Sequence, residues 1–183
     1  MSEVVRLILL SHAMTDATAA GRFPTDESLN ATGRRQIEAG TELGSVDQAF
    51  CGPETRTRQT AELLGVQALI EPKLADLDFG RWRGDVLGRV LPAELAIWLT
   101  DPMCAPHGGE SVVELIDRVA GWMGSLSSQR GRILAVTHPA VVRAAILVVL
   151  DAPPKSFWRI DVAPFSRTVM HFRGHAWTLR SSR

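Results

Sequence analysis

Apolar positions along the chain follow two patterns. Segments 4–10 ("VVRLILL") and 132–138 ("RILAVTH") are almost continuously apolar and rich in Leu and β-branched residues. That is the pattern of strands covered on both faces, as in a parallel sheet. Between them the spacing turns helical. Segment 29–44 ("LNATGRRQIEAGTELG") sets Gly33, Ile37, Gly40 and Gly44 on one face behind Asn30 as N-cap, predicting a helix whose small inner face packs close on a sheet. Segment 54–65 ("ETRTRQTAELLG") reads as a helix closed by Gly65, and 92–100 ("PAELAIWLT") as another that ends before Asp101-Pro102. Segment 108–126 opens on a Ser111-x-x-Glu114 capping box and carries the stripe Val112, Leu115, Ile116, Val119, Met123 and Leu126. Segment 139–150 starts at Pro139 and is apolar almost all round, a buried helix.

Short strands are expected at 48–52 ("QAFCG") and 66–70 ("VQALI"), and again at 156–163 ("SFWRIDVA"), 167–172 ("RTVMHF") and 176–180 ("AWTLR"), some of these last antiparallel at an edge. The order of elements predicts an α/β three-layer sandwich: a mostly parallel central sheet, helices on both faces and right-handed crossovers. At this length one domain over residues 1–183 is expected.

Composition narrows the function classes. Lys plus Arg and Asp plus Glu both number 20, so the formal charge is zero. This argues against whole-surface attraction to nucleic acid or an anionic membrane, though it is compatible with a local basic pocket. Cys51 and Cys104 are too few for a four-ligand zinc site and read as free thiols in a reducing compartment. The N-terminus, with Glu3 ahead of a short apolar run, is unlike a signal peptide, and no run reaches the ~20 apolar residues of a membrane span. A cytoplasmic protein is expected, with monomer and homodimer both open.

Two apolar strands end in histidine: His12 and His138 each stand just past the carboxyl end of a strand that feeds a crossover, where open α/β sheets bind ligands. Arg56, at the start of the helix after the second strand, reaches the same rim, and Asp76 and Asp78 lie in the loop "LADLDFGRWRG". Such a group suits phosphoryl transfer. A neutral imidazole is a nucleophile near pH 7, a guanidinium grips phosphate oxygens, and a carboxylic acid can protonate a departing alkoxide. A metal site is the competing reading of the histidines, but no HxH or HExxH spacing exists, and neither metal nor cofactor is expected.

Six segments, in order, resemble motifs of the histidine phosphatase superfamily, the phosphoglycerate mutase-like proteins: "LLSHAMT", "SLNATGRRQ", "GPETRTRQTAELL", "LADLDFGRWRG", "PHGGESVVELIDRV" and "ILAVTHPAVVRA". The resemblance implies a phosphohistidine on His12, phosphate binding by Arg56, His138 facing His12 across the phosphate, and Asp76 as proton donor with Asp78 as its fallback. It sets Arg22 near the substrate mouth. It also implies a metal-independent phosphatase acting on a small phosphomonoester.

There are departures from the pattern. The family arginine before the nucleophile is Ser11, the following glycine is Ala13, the donor Glu is Asp76, and "WEG" reads Trp82-Arg83-Gly84. Loss of one preorganised donor typically costs ~3–4 kcal/mol, roughly a few hundredfold in rate. Arg22 or Arg83 is the candidate to restore that charge. The alternative reading is a catalytically impaired member that binds a phosphorylated ligand or partner. Glu110, Arg143, Trp82 and Trp98 read as structural residues.

Overall fold

The computed structural model describes residues 4–181. Four parallel strands, β1 (Val5–Ser11), β2 (Gln48–Cys51), β3 (Leu69–Ile70) and β4 (Gly131–Thr137), form the body of one sheet. An antiparallel pair, β5 (Arg167–Phe172) and β6 (Trp177–Arg180), extends it beside β1, in the order β3-β2-β4-β1-β5-β6. The helices are α1 (Asp16–Ala19), α2 (Ala31–Glu38), α3 (Thr55–Leu63), α4 (Pro92–Thr100), α5 (Val112–Leu126) and α6 (Pro139–Leu150).

The central strands read as unbroken apolar runs because both faces are covered. Val5, Leu7 and Leu9 of β1 join Leu115, Val119, Val141 and Ala145 of α5 and α6 in one core. Ile8 and Leu10 point the other way, into a second core with Ala61 of α3, Leu134 and Val136. The expected sandwich is formed. The capping box of α5 makes both of its bonds, Ser111 Oγ accepting from the Glu114 N–H and the Glu114 carboxylate accepting from the Ser111 N–H. Its buried stripe also includes Trp122.

Three expectations differ from the structure. The helix after Asn30 stops at Glu38. Gly40 (φ +84°) and Gly44 (φ +65°) adopt left-handed backbone that ends a helix rather than continuing it. Segment 156–163 makes no strand; Pro154–Arg159 is a 3-10 turn, because Pro153 and Pro154 fix φ and supply no N–H to a ladder. The turn buries Phe157 and sets Trp158 4.3 Å from Trp98 between ring centres. Within 66–70, only Leu69 and Ile70 pair. Among the described residues no helix is long and apolar enough to cross a membrane.

Candidate active site

β1 and β4 are neighbours in parallel register, with Ser11 opposite Thr137. The residue after each therefore leaves the sheet at the same level, and the His12 N–H donates to the Thr137 carbonyl at 2.8 Å. The two rings face each other, 5.2 Å between centroids and inclined at 63°. From the other side β2 ends at Cys51 and α3 begins at Thr55, so Arg56 enters the same rim in the first turn of its helix.

His12 retains only 4% of its surface. Its Nδ1 lies 2.8 Å from the Ala13 carbonyl oxygen, an acceptor, so the proton sits on Nδ1 and the lone pair on Nε2. Burial, reinforced by the charges of His138 and Arg56, lowers its pKa to about 3. The ring is neutral and nucleophilic at any ordinary pH. One strap holds it from behind: the Phe165 N–H donates to the His12 carbonyl at 3.0 Å.

Arg56 is 1% exposed. One of its terminal nitrogens donates to Asp76 Oδ2 at 2.7 Å and the other to the Thr25 carbonyl at 2.8 Å. Its Nε is buried without a hydrogen-bond partner, and so is Nδ1 of the fully buried His138, 3.4 Å from Asp76 Oδ2. Buried donors are rarely left so. Burial on its own pushes the Asp76 carboxyl up, but His138, Arg56 and His12 outweigh it and hold the group below its ordinary value.

The sequence reading missed Glu54, the residue that ties these groups together. Its Oε2 lies 2.8 Å from His138 Nε2 and its Oε1 accepts the Asp76 N–H at 2.9 Å. Burial raises its carboxyl, and the hydrogen bond and charge of His138 more than reverse this, to about 2. Gly52 makes room for the pair, since a Cβ there would stand 2.8 Å from the Leu74 carbonyl oxygen and 3.1 Å from His138 Nε2. The available signal was an acid at the N-cap position of a helix that starts on the active rim; Glu54 makes no side-chain capping bond. The Asp76 loop is held from below by Arg118, which donates to the Lys73, Ala75 and Asp76 carbonyls and pairs with Glu110 at 2.7 Å.

The remaining candidates lie further out or are otherwise engaged. Ser11 is fully buried, and its hydroxyl donates to the Ala163 carbonyl at 2.6 Å and accepts the Ser166 N–H. Arg22 is exposed and its backbone bridges Val86. Arg83 pairs with Asp78 at 2.8 Å, both at least half exposed, so Asp78 faces outward while Asp76 faces the histidines. A cavity of about 220 Å³ opens onto Glu54, Arg56 and Asp76, with Thr25, Asp26 and Arg83 at its mouth. Arg143 donates to the Ile160 carbonyl and lies over Phe157 and Trp158; Trp82 and Trp98 are buried beside Phe23.

A pH dependence follows. The unfolded chain protonates histidine near pH 6.5, whereas folded His12 stays neutral down to about 3. The unfolded state therefore binds the extra proton, and stability falls as pH drops from about 6.5 towards about 3. Glu54, its pKa lowered from 4.5 to about 2, adds to the loss below pH 4.5, and His107 and His171, both lowered by burial, act in the same direction. Urea unfolding between pH 7 and 4 is expected to show the decline, and His12→Gln to remove about 1.4 kcal/mol per pH unit of its slope.

A parallel sheet whose carboxyl edge sets two imidazoles beside each other, with a buried guanidinium between a carboxylate and a backbone carbonyl, defines a class of α/β proteins that hold a small anion against a histidine nitrogen. The chain belongs to the histidine phosphatase superfamily (branch 1), whose family model matches residues 7–183. A glucosyl-3-phosphoglycerate phosphatase of Mycolicibacterium vanbaalenii is 27% identical over 171 residues, covering 82% of this chain and 76% of that protein. A bifunctional protein of Mycobacterium tuberculosis is 24% identical over 91% of this chain, and this chain spans only half of that relative's length. The solved structure of a mycobacterial glucosyl-3-phosphoglycerate phosphatase complexed with VO3 superposes with a TM-score of 0.85 at 24% identity, over 96% of each chain.

Proposed function

We propose that the protein is a metal-independent phosphatase that hydrolyses a small phosphomonoester through a phosphohistidine on His12. The observation that carries this reading is the buried Arg56 Nε, a donor without a hydrogen-bond partner, together with His138 Nδ1, which makes no hydrogen bond and lies 3.4 Å from Asp76 Oδ2, beside a histidine whose free nitrogen is the nucleophilic one. A phosphoryl group placed there meets a donor on two sides and an attacking lone pair on the third.

His12 Nε2 attacks phosphorus as the ester P–O bond breaks. The phosphoryl oxygens take over the Arg56 and His138 donors that Asp76 faces in the free protein. With those charges shared, burial dominates at Asp76 and raises its pKa, so the carboxyl carries the proton that the departing alkoxide needs. Water then attacks the phosphohistidine, Asp76 takes a proton from that water, the P–N bond breaks and inorganic phosphate leaves. Glu54 keeps the His138 ring turned towards the phosphoryl group and anchors the Asp76 backbone. Arg83 and Asp26 at the mouth meet the remainder of the alcohol, and the small cavity favours sugar, hydroxy-acid or amino-acid phosphates over large ones.

The test is a hydrolysis screen over such monoesters with EDTA present, combined with rapid-quench detection of an alkali-stable, acid-labile phosphoenzyme. Turnover that persists in EDTA with a labelled enzyme supports the reading. Hydrolysis lost to the chelator, or binding of phosphorylated ligands with no turnover of any monoester, overturns it; the second result belongs to the impaired, ligand-binding alternative, which the replacement of the family arginine by Ser11 favours.

A further inference from the structure

A second basic site lies on the sheet face that carries Ile8 and Val169. Arg6 and Arg132 are each the second residue of their strands and stand directly opposite one another across β1 and β4. Arg6 also faces His171 across β1 and β5, and Arg180 stands opposite Val169 across β5 and β6. With Arg167, these residues line a cavity of about 610 Å³, floored by Ile8 and Val169 and walled by the 41–44 loop. Arg6 stands five steps along β1 from Ser11, about 16 Å, and the cavity shares no lining residue with the one at Arg56 and Asp76.

Like charges directly opposite in a sheet are destabilising, and central strands are normally apolar here. Even so, the guanidiniums are held in place rather than splayed. Arg6 Nε donates to Nε2 of the buried His171 at 3.2 Å, Arg132 donates to the Leu43 carbonyl at 3.2 Å, and Arg167 to the Glu42 carbonyl. None of Arg6, Arg132, Arg167 and Arg180 forms an ion pair with a carboxylate among the described residues. Glu42 is the acid in the lining, and the nearby Asp47 carboxylate accepts the Arg132 backbone N–H. Burial, then Arg6, Arg180 and Arg173, lower the pKa of His171, a sign of the positive potential that collects there.

We propose that this cavity is a binding site for a small organic polyphosphate: two or more phosphate groups spread over the four guanidiniums, with a planar or apolar body on Ile8, Val169 and Leu43. The guanidiniums of Arg132 and Arg167, anchored on backbone carbonyls, and that of Arg6, held by His171, retain N–H donors in a fixed fork suited to phosphate oxygens.

The test is calorimetric titration of His12→Ala protein with ADP and with tripolyphosphate, at low and physiological salt. Both are expected to bind at this site in addition to any binding in the phosphate pocket that the variant retains, and more weakly as salt rises. Arg6→Gln/Arg180→Gln in the same background is expected to weaken both at least tenfold, whereas Arg159→Gln, at an exposed position elsewhere, leaves them unchanged. Circular dichroism melting verifies the fold; should the double variant unfold, Arg180→Ala, at an exposed strand end, is read instead, with a loss of at least threefold. Equal affinity in the pocket variants overturns the site. ADP failing where tripolyphosphate binds overturns the organic body, and a single-stranded oligonucleotide binding more tightly than ADP overturns the small-molecule assignment.

Discussion

Replacing His12 by alanine is expected to lower kcat/KM at least about 10⁴-fold, a loss of about 5.5 kcal/mol of transition-state stabilisation. The variant keeps Arg56, His138, Glu54 and Asp76, and so keeps a phosphate pocket. What it loses is the group whose lone pair attacks phosphorus in the proposed reaction. Its Nδ1 proton is fixed by the Ala13 carbonyl and its ring is kept neutral by burial, so no neighbouring nitrogen offers the same reactivity: the two ring nitrogens of His138 both face carboxylates. Substrate binding, read by equilibrium titration of a phosphomonoester, is expected to survive. A variant retaining rates within tenfold of the parent shows that water attacks directly, and ends the phosphohistidine reading. The phosphoenzyme label should vanish together with turnover.

The second large effect concerns Arg56. Arg56→Gln is expected to reduce kcat/KM by about 10²–10³-fold, the usual consequence of removing a preorganised donor from a developing oxyanion. It should also destabilise the fold by about 3 kcal/mol, because the part-buried Asp76 carboxylate loses its closest cationic partner. The two losses have different pH dependences. Without the guanidinium the Asp76 pKa rises, so the stability deficit shrinks on mild acidification as the carboxyl takes up a proton, whereas the catalytic deficit persists. Urea midpoints and kcat/KM measured at pH 7.5 and 5.5 separate them. A variant as stable as the parent at pH 7.5 contradicts the ion pair as described.

Much of this architecture could be read in advance because burial imposes a period on the chain. β1, β4, α5 and α6 are apolar in the pattern their surroundings require, and two strands that both end in histidine point to one rim. The order of elements set Arg56 at the same rim and Asp76 or Asp78 in the adjoining loop, family motifs favoured Asp76, and the structure brings Arg56, Asp76 and His138 together. The failures also have physical causes. Gly40 and Gly44 keep helical spacing with Gly33, yet spacing alone cannot tell a small inner face from a pair of left-handed turns. "SFWRIDVA" has strand composition, but the two prolines before it set the backbone. Glu54 escaped notice because its importance lies in a contact 84 positions away, with His138; nothing local distinguishes it from an ordinary helix-leading acid. Ser11 read as a gap in the phosphate pocket, whereas its hydroxyl is used by the 163–166 turn, a partner distant in sequence.

That turn also orders events in time. The nucleophile is synthesised more than 150 residues before Phe165, whose peptide N–H secures its carbonyl. A nascent chain that already carries His12 and β1 therefore lacks that backbone bond until the 163–166 turn has emerged and docked against β1. Competence for reaction, in that sense, waits on the 163–166 turn, and a chain stalled before residue 163 is expected to be chemically silent.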